Sequence, residues 1–192
     1  MNEVSTTNLY KAAPAKESAS YGTVSKMLHW GMAFLILSLL VAIEIRGYFP
    51  KGVIRNNLRD WHIQSGLCVL FLIGVRIVWR SISVTPPIFP PLPRVQQLAA
   101  NLAHWLLYFL MLIIPIIGIL SIQSRGDPVS FFGYPFPILL GEENGLPYAR
   151  LIRNIHEYLG NIIIGLLVIH LASAIFHHVI RRDNVLKRMR PW

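Results

Sequence analysis

One cysteine and nine acidic residues in a chain of 192 set the first limits. Cys68 alone can form no intramolecular disulfide, ligate no cluster and supply no Cys-x-x-Cys-His attachment sequence, so any haem would be held without a covalent bond. Charge is scarce as well, at 14% of residues, and what there is leans one way: eighteen Lys and Arg against nine acids give +9. Most of that base lies beside apolar runs, where orientation and lipid headgroups call for it, so nucleic acid is not an expected partner. An apolar signal sequence is also missing. Residues 1–24 are rich in Ser, Thr, Ala and Lys and contain Pro14, which predicts a disordered tail. No internal repeat and no second domain are visible.

Apolar surface is abundant: 54% of the residues are hydrophobic and the mean hydropathy is +0.49. A soluble domain of this length could not bury so much, so the class is integral membrane. Four apolar runs, about 27–45, 61–79, 98–120 and 155–179, are each close to the roughly twenty residues that cross a bilayer. They predict an all-α, four-helix membrane bundle over 25–182, followed by a basic tail at 183–192. The connectors differ in kind. Residues 46–60 read as a short basic loop. Residues 81–94 hold five prolines and form a stiff non-helical link. Residues 121–153, rich in Gly, Pro and aromatics, suit a lid over one end. Pro115 should kink the third span, and Arg76 is expected to snorkel from the second towards the headgroups. Trp30, Trp61, Trp79 and Trp105 fall at span ends as an aromatic belt would place them. Lys11, Lys16, Lys26, Arg76, Arg80, Arg94 and the basic tail gather on the side of the termini, which predicts both termini to be cytoplasmic.

Ionisable groups inside a bilayer are costly and usually functional. His156 and His170 lie on the last span fourteen residues apart, about 21 Å along a helix and within about 40° of the same face. Neutral imidazole, the form favoured in apolar surroundings, is a good axial ligand for haem iron. The alternating direction of the spans puts His62 at the depth of His156 and His29 at the depth of His170. Two bis-histidine pairs at two levels would hold two haems and form an electron path across the membrane. Zinc fits less well, because Cys and carboxylate partners at those depths are missing. His104 falls at the inner level of the third span, where it could compete with His29 or pack beside a quinone. His177 and His178 end the fourth span, as headgroup residues or as part of a quinone site. Arg46, Lys51, Arg55, Arg59, Arg125, Arg150 and Arg153 lie on the outer side. Of these, Arg46, Arg125 and Arg153 are candidate contacts for haem propionates or for a small anion.

Several segments together resemble the bacterial cytochrome b561 family over nearly the whole chain from Tyr21. They are Leu28-His29-Trp30, Glu44-Ile45-Arg46-Gly47-Tyr48-Phe49-Pro50, Trp61-His62-Ile63-Gln64-Ser65-Gly66 and Thr85-Pro86-Pro87. Ser124-Arg125-Gly126-Asp127-Pro128, Ile155-His156-Glu157, and Gly165 to His170 followed by His177-His178, complete the set. The resemblance implies a bacterial inner-membrane protein with two b haems on His29, His62, His156 and His170. It further implies oxidation of superoxide at the periplasmic side, with ubiquinone reduced within the membrane and His177 at the quinone site. A second reading, a cytochrome b anchor subunit of a hydrogenase- or formate-dehydrogenase-like complex, uses similar four-histidine helices. No catalytic residue is assigned from the sequence.

Overall fold

The computed structural model describes residues 20–139 and 146–190. Residues 1–19, with most of the expected tail and Pro14, lie outside the described part, as do Glu142 and Glu143. The fold is mostly helical. Helix α1 is Thr23–Ile45, α2 is Val53–Ile82, α3 is Arg94–Gln123 and α4 is Ala149–Phe176, prolonged by a π-type turn, His177–Arg181. All four are long and apolar enough to cross a membrane.

All four helices begin before the apolar runs, and α2 and α3 overrun them at both ends. Thirty residues in α2 and in α3 correspond to about 45 Å, against a hydrocarbon layer of about 30 Å, so their end turns enter the headgroup region. This corrects two expectations. Most of the loop expected at 46–60 is helix from Val53, leaving Arg46–Tyr48 as a 3-10 turn. The helix starts at Thr23, and the Tyr21 amide donates to the Arg188 carbonyl at 3.1 Å, so residues 20–24 are not part of a loose tail. Hydropathy marks where lipid ends, whereas a helix continues until its backbone is capped or broken. Pro93 does this at the start of α3.

On α1 the buried residues Met32, Ile36, Leu39 and Ala42 recur at helical spacing and form one face. That face meets Val69 and Ile73 of α2, with Tyr108, Met111 and Leu112 of α3 and Leu167 of α4 packed behind. A second cluster joins Leu107 and Leu110 of α3 to Ile163 of α4. The chain is thus two helical hairpins, α1 with α2 and α3 with α4, joined chiefly where α2 meets α3. Outward faces carry Phe34, Phe71, Trp105 and Leu171, each more than 60% exposed, a surface suited to lipid and not to water.

The end of the bundle where α1 begins and α4 finishes is called the near end, the other the far end. At the far end residues 124–139 include a small antiparallel hairpin, Ser130–Phe131 with Tyr134–Pro135. Val129, Phe131 and Phe136 cover Leu67 of α2 and Ile119 of α3. Gln64 grips the hairpin backbone at Ser130 and Phe132, and Gln123 grips Pro137 and Leu139. At the near end the expected basic tail is instead folded back: Asn184 bonds Phe89 through both backbone and side chain. The Arg188 guanidinium donates to the Pro86 carbonyl and stacks over Tyr21. Tail and proline connector thereby hold each other.

Candidate functional site: two histidine pairs

The four histidines come together in two pairs. His62 of α2 and His156 of α4 have ring centres 6.2 Å apart at the far level. His29 of α1 and His170 of α4 are 6.3 Å apart at the near level. Metal–imidazole bonds of about 2 Å, with about 1.1 Å from each nitrogen to its ring centre, put two imidazoles sharing one metal about 6.2 Å apart. Both pairs have the separation that a shared iron requires.

Ring orientation at the far level is set by main-chain carbonyls. His62 Nδ1 lies 3.0 Å from the Leu39 carbonyl and His156 Nδ1 lies 3.1 Å from the Ile114 carbonyl. A carbonyl only accepts, so both Nδ1 atoms donate, and the lone pair of each neutral ring is left on Nε2. His62 and His156 both line a cavity of about 190 Å³ between the hairpins, walled by aliphatic side chains of all four helices together with Glu44, Glu157 and Asn161. Two imidazoles lining an apolar cavity are a donor set that suits the iron of a largely apolar macrocycle.

Gly118 completes the far site. A Cβ there would stand 3.0 Å from His156 Cε1 and 3.3 Å from Nδ1. The His156 ring therefore lies against the α3 backbone, in a recess that only glycine leaves open, one turn beyond the carbonyl it bonds.

The near level is built differently. His29 Nδ1 faces no carbonyl and instead accepts from the Arg76 guanidinium at 3.2 Å, while Arg76 Nε donates to Tyr108 Oη at 3.0 Å. This corrects the expected snorkel: Arg76 points into the bundle, because Tyr108 and His29 offer it partners there. His104 is also present, with its ring centre 5.8 Å from His170, so His170 stands between His29 and His104. The 6.3 Å pair matches the shared-metal separation more closely than the 5.8 Å pair does.

Below the near pair, His177 Nδ1 is 2.6 Å from Asp183 Oδ2. The Asp183 side chain is fully buried and also receives Arg181 Nε at 3.2 Å and the Val185 amide at 3.0 Å. His178 is exposed. Burial pushes the neighbouring Arg188 guanidinium below its ordinary range, and Tyr21 and Asp183 oppose that shift.

The expected anion contacts are more dispersed. Arg153 is paired with Glu157 at 2.8 Å and Arg125 with Asp127 at 3.7 Å. Arg46 donates to the Arg55 carbonyl and shares the far end with the charges of Arg55, Arg59 and Arg153. These side chains form a basic rim around the far end and are not among the residues lining the cavity.

A family model described as prokaryotic cytochrome b561 matches residues 20–192. The chain belongs to the prokaryotic cytochrome b561 family. Family membership makes it a membrane electron-transfer protein of the haem b type and accords with a multi-pass place in the bacterial inner membrane. It is 36% identical over 165 residues to cytochrome b561 homolog 1 of Escherichia coli K12, covering 85% of this chain and 93% of the relative. It is 31% identical over 172 residues to the probable superoxide oxidase CybB of Yersinia pestis, covering 89% and 96%. Cytochrome b561 homolog 2 of E. coli K12 is 30% identical over 177 residues, covering 88% and 90%.

Gly118, Arg76, Tyr108 and Asp183 were not among the site residues expected from sequence. For Gly118 the available signal was a glycine inside an apolar helix, four residues after Ile114. For Arg76 it was a charge inside an apolar run, assigned to the headgroups. Asp183 carried no local signal.

Proposed function

We propose that this cytochrome b561 binds two b haems, one between His62 and His156 and one between His29 and His170, and oxidises superoxide at the far end while reducing ubiquinone at the near end. The observation that carries the reading is the pair of imidazole separations, 6.2 and 6.3 Å, on a single helix at two depths. The distribution of Lys and Arg supports a cytoplasmic near end and a periplasmic far end. His29, His62, His156 and His170 would hold the haem irons, which would supply one-electron transfer without binding the donor.

The chain's own residues do the rest. Arg46, Arg55 and Arg59 raise the local concentration of a small anion at the far end. The Leu39 and Ile114 carbonyls and the recess at Gly118 hold the far imidazoles in place. Aliphatic side chains keep water out between the two levels. At the near end the His177 imidazole, braced by Asp183, is the group we assign to pass a proton to a quinone oxygen. Two superoxide anions, one quinone and two protons give two dioxygen molecules and one quinol.

The test is the reduced-minus-oxidised spectrum and haem content of the detergent-purified chain, followed by superoxide-driven ubiquinone reduction by that chain alone. Two b haems with quinol formation support the reading. Two haems without it leave an electron-transfer subunit such as a dehydrogenase anchor, and no haem removes the reading altogether.

A further inference from the structure

We propose that Arg76 and Arg80 receive the propionate carboxylates of the near-level haem in a cleft beside Tyr108. The proposal rests on the ligand pairs assigned above and concerns the near level, whereas the candidate propionate contacts read from sequence lie at the far end.

The cleft opens where the start of α1, the end of α2 and the proline connector meet α3. Tyr21, Ser25, Arg76, Trp79, Arg80 and Tyr108 line it, and no acidic side chain is among its described lining residues. Arg76 Nε donates to Tyr108 Oη at 3.0 Å, and the guanidinium carbons of Arg76 and Arg80 lie 5.9 and 6.0 Å from the centre of that one tyrosine ring. Ser25 accepts from Trp79 Nε1 at 3.0 Å, which leaves its own hydroxyl proton to give. The ion pairs among the described residues involve Arg125, Arg153, His177 and Arg181, and none reaches Arg76 or Arg80. Arg188 nearby is already engaged, with the Pro86 carbonyl and the Tyr21 ring.

A half-buried cation inside a membrane bundle is costly without a countercharge. Two that share one tyrosine cost more, because they repel. A b-type haem carries two carboxylates on one edge, and guanidinium matches a carboxylate in shape and charge. The position fits as well, since Arg76 both lines the cleft and touches His29, a near-level ligand. That second contact gives the carboxylates a further role. A guanidinium has donors only, so His29 Nδ1 accepts from it and the proton of the neutral ring sits on Nε2. With both nitrogens engaged, His29 has no lone pair to offer iron while the contact lasts. A carboxylate is a stronger acceptor for a guanidinium than a neutral ring nitrogen is. Once Arg76 turns its donors to one, His29 is free to carry its proton on Nδ1 and to ligate through Nε2.

Titration of the full-length chain in a His156→Ala background, where only the near-level haem is left, tests this with two probes: haem b and its dimethyl ester, which lacks the carboxylate charges. The parent chain should bind haem b about tenfold more tightly than the ester. Arg80→Gln should weaken haem b about tenfold and leave the ester unchanged. Arg76→Gln should weaken haem b likewise, yet bind the ester as tightly as the parent or more tightly, because His29 is no longer held. Arg80 is exposed, so Arg80→Gln decides the matter if Arg76→Gln fails to fold. A purely structural role for these arginines would weaken both probes alike, and that result overturns the proposal. Phospholipid retained by the parent chain and lost from Arg80→Gln, with haem b affinity unchanged, also overturns it and assigns the cleft to a lipid phosphate. A wild-type protein without two haems would overturn the ligand assignment itself, and the proposal with it.

Discussion

Replacing Gly118 by alanine tests the far site by a change outside the four histidines. The new methyl carbon would lie 3.0 Å from His156 Cε1 and 3.3 Å from Nδ1, whereas carbon atoms rest at about 3.5–4.0 Å. The ring must retreat by about 0.5 Å, and it is tied on its other side to the Ile114 carbonyl at 3.1 Å. Losing that bond costs about 0.5–1.5 kcal/mol, and disturbing a group that orients a metal ligand typically weakens metal binding about 10–100-fold. The helix itself gains, since alanine is better than glycine there by about 1 kcal/mol. Gly118→Ala should therefore bind the far-level haem about tenfold more weakly while the haem-free protein melts no earlier than wild type. Gly118→Val should lose that haem. The assay is haem titration in a His170→Ala background, where only the far-level haem is left to read. Wild-type affinity in both Gly118 variants would refute the seating of His156 against α3.

Other outcomes are equally direct. His156→Ala and His170→Ala should each retain one b haem of the two, read as half the difference-spectrum amplitude and one haem per chain. Asp183→Asn removes the carboxylate shared by His177, Arg181 and Val185; it should lower stability by about 1–3 kcal/mol and slow quinone reduction more than haem reduction by superoxide. Asn184→Ala, which loses the side-chain bonds to the Phe89 amide and the Pro87 carbonyl, should expose the Phe89 amide to faster hydrogen exchange, seen by mass spectrometry. Arg59→Gln should reduce superoxide-driven turnover about two- to threefold at low salt and flatten its ionic-strength dependence.

Helix count, span order and the depths of the histidines were legible in the sequence because each depends on one quantity, distance along an apolar run. Fourteen residues between His156 and His170 fix their separation whatever the surroundings. What escaped depends on side chains from different helices meeting. Arg76 six residues before Ile82 looks like a residue that reaches for headgroups, and only Tyr108 of α3 and His29 of α1 turn it inward. Asp183 sits in a polar stretch with no periodicity, and its burial follows from the proline connector that Asn184 and Arg188 bind. Helix ends were underestimated for a simpler reason: the first eight residues of α2, Val53 to Asp60, are polar enough to leave the bilayer yet lack anything that would break a helix.

The placement of the ligands has a consequence for the fold as well as for electron transfer. Each proposed pair takes one imidazole from the α1–α2 hairpin and one from α4, so both haems would cross the boundary between hairpins that the protein's own side chains join mainly at α2 and α3. Binding would then add contact across that boundary, at the far level within the cavity lined by His62 and His156, and its free energy would become folding free energy. Because His156 and His170 share one rigid helix, a sliding of α4 by even part of a turn would misalign both pairs together. Loss of one haem should therefore loosen the other level, and His156→Ala should lower the thermal stability of the remaining His29–His170 site by more than deletion of a side chain about 21 Å away would otherwise cause. Equal melting of the near-level haem signal in wild type and His156→Ala would show that the hairpins hold their register without the far haem.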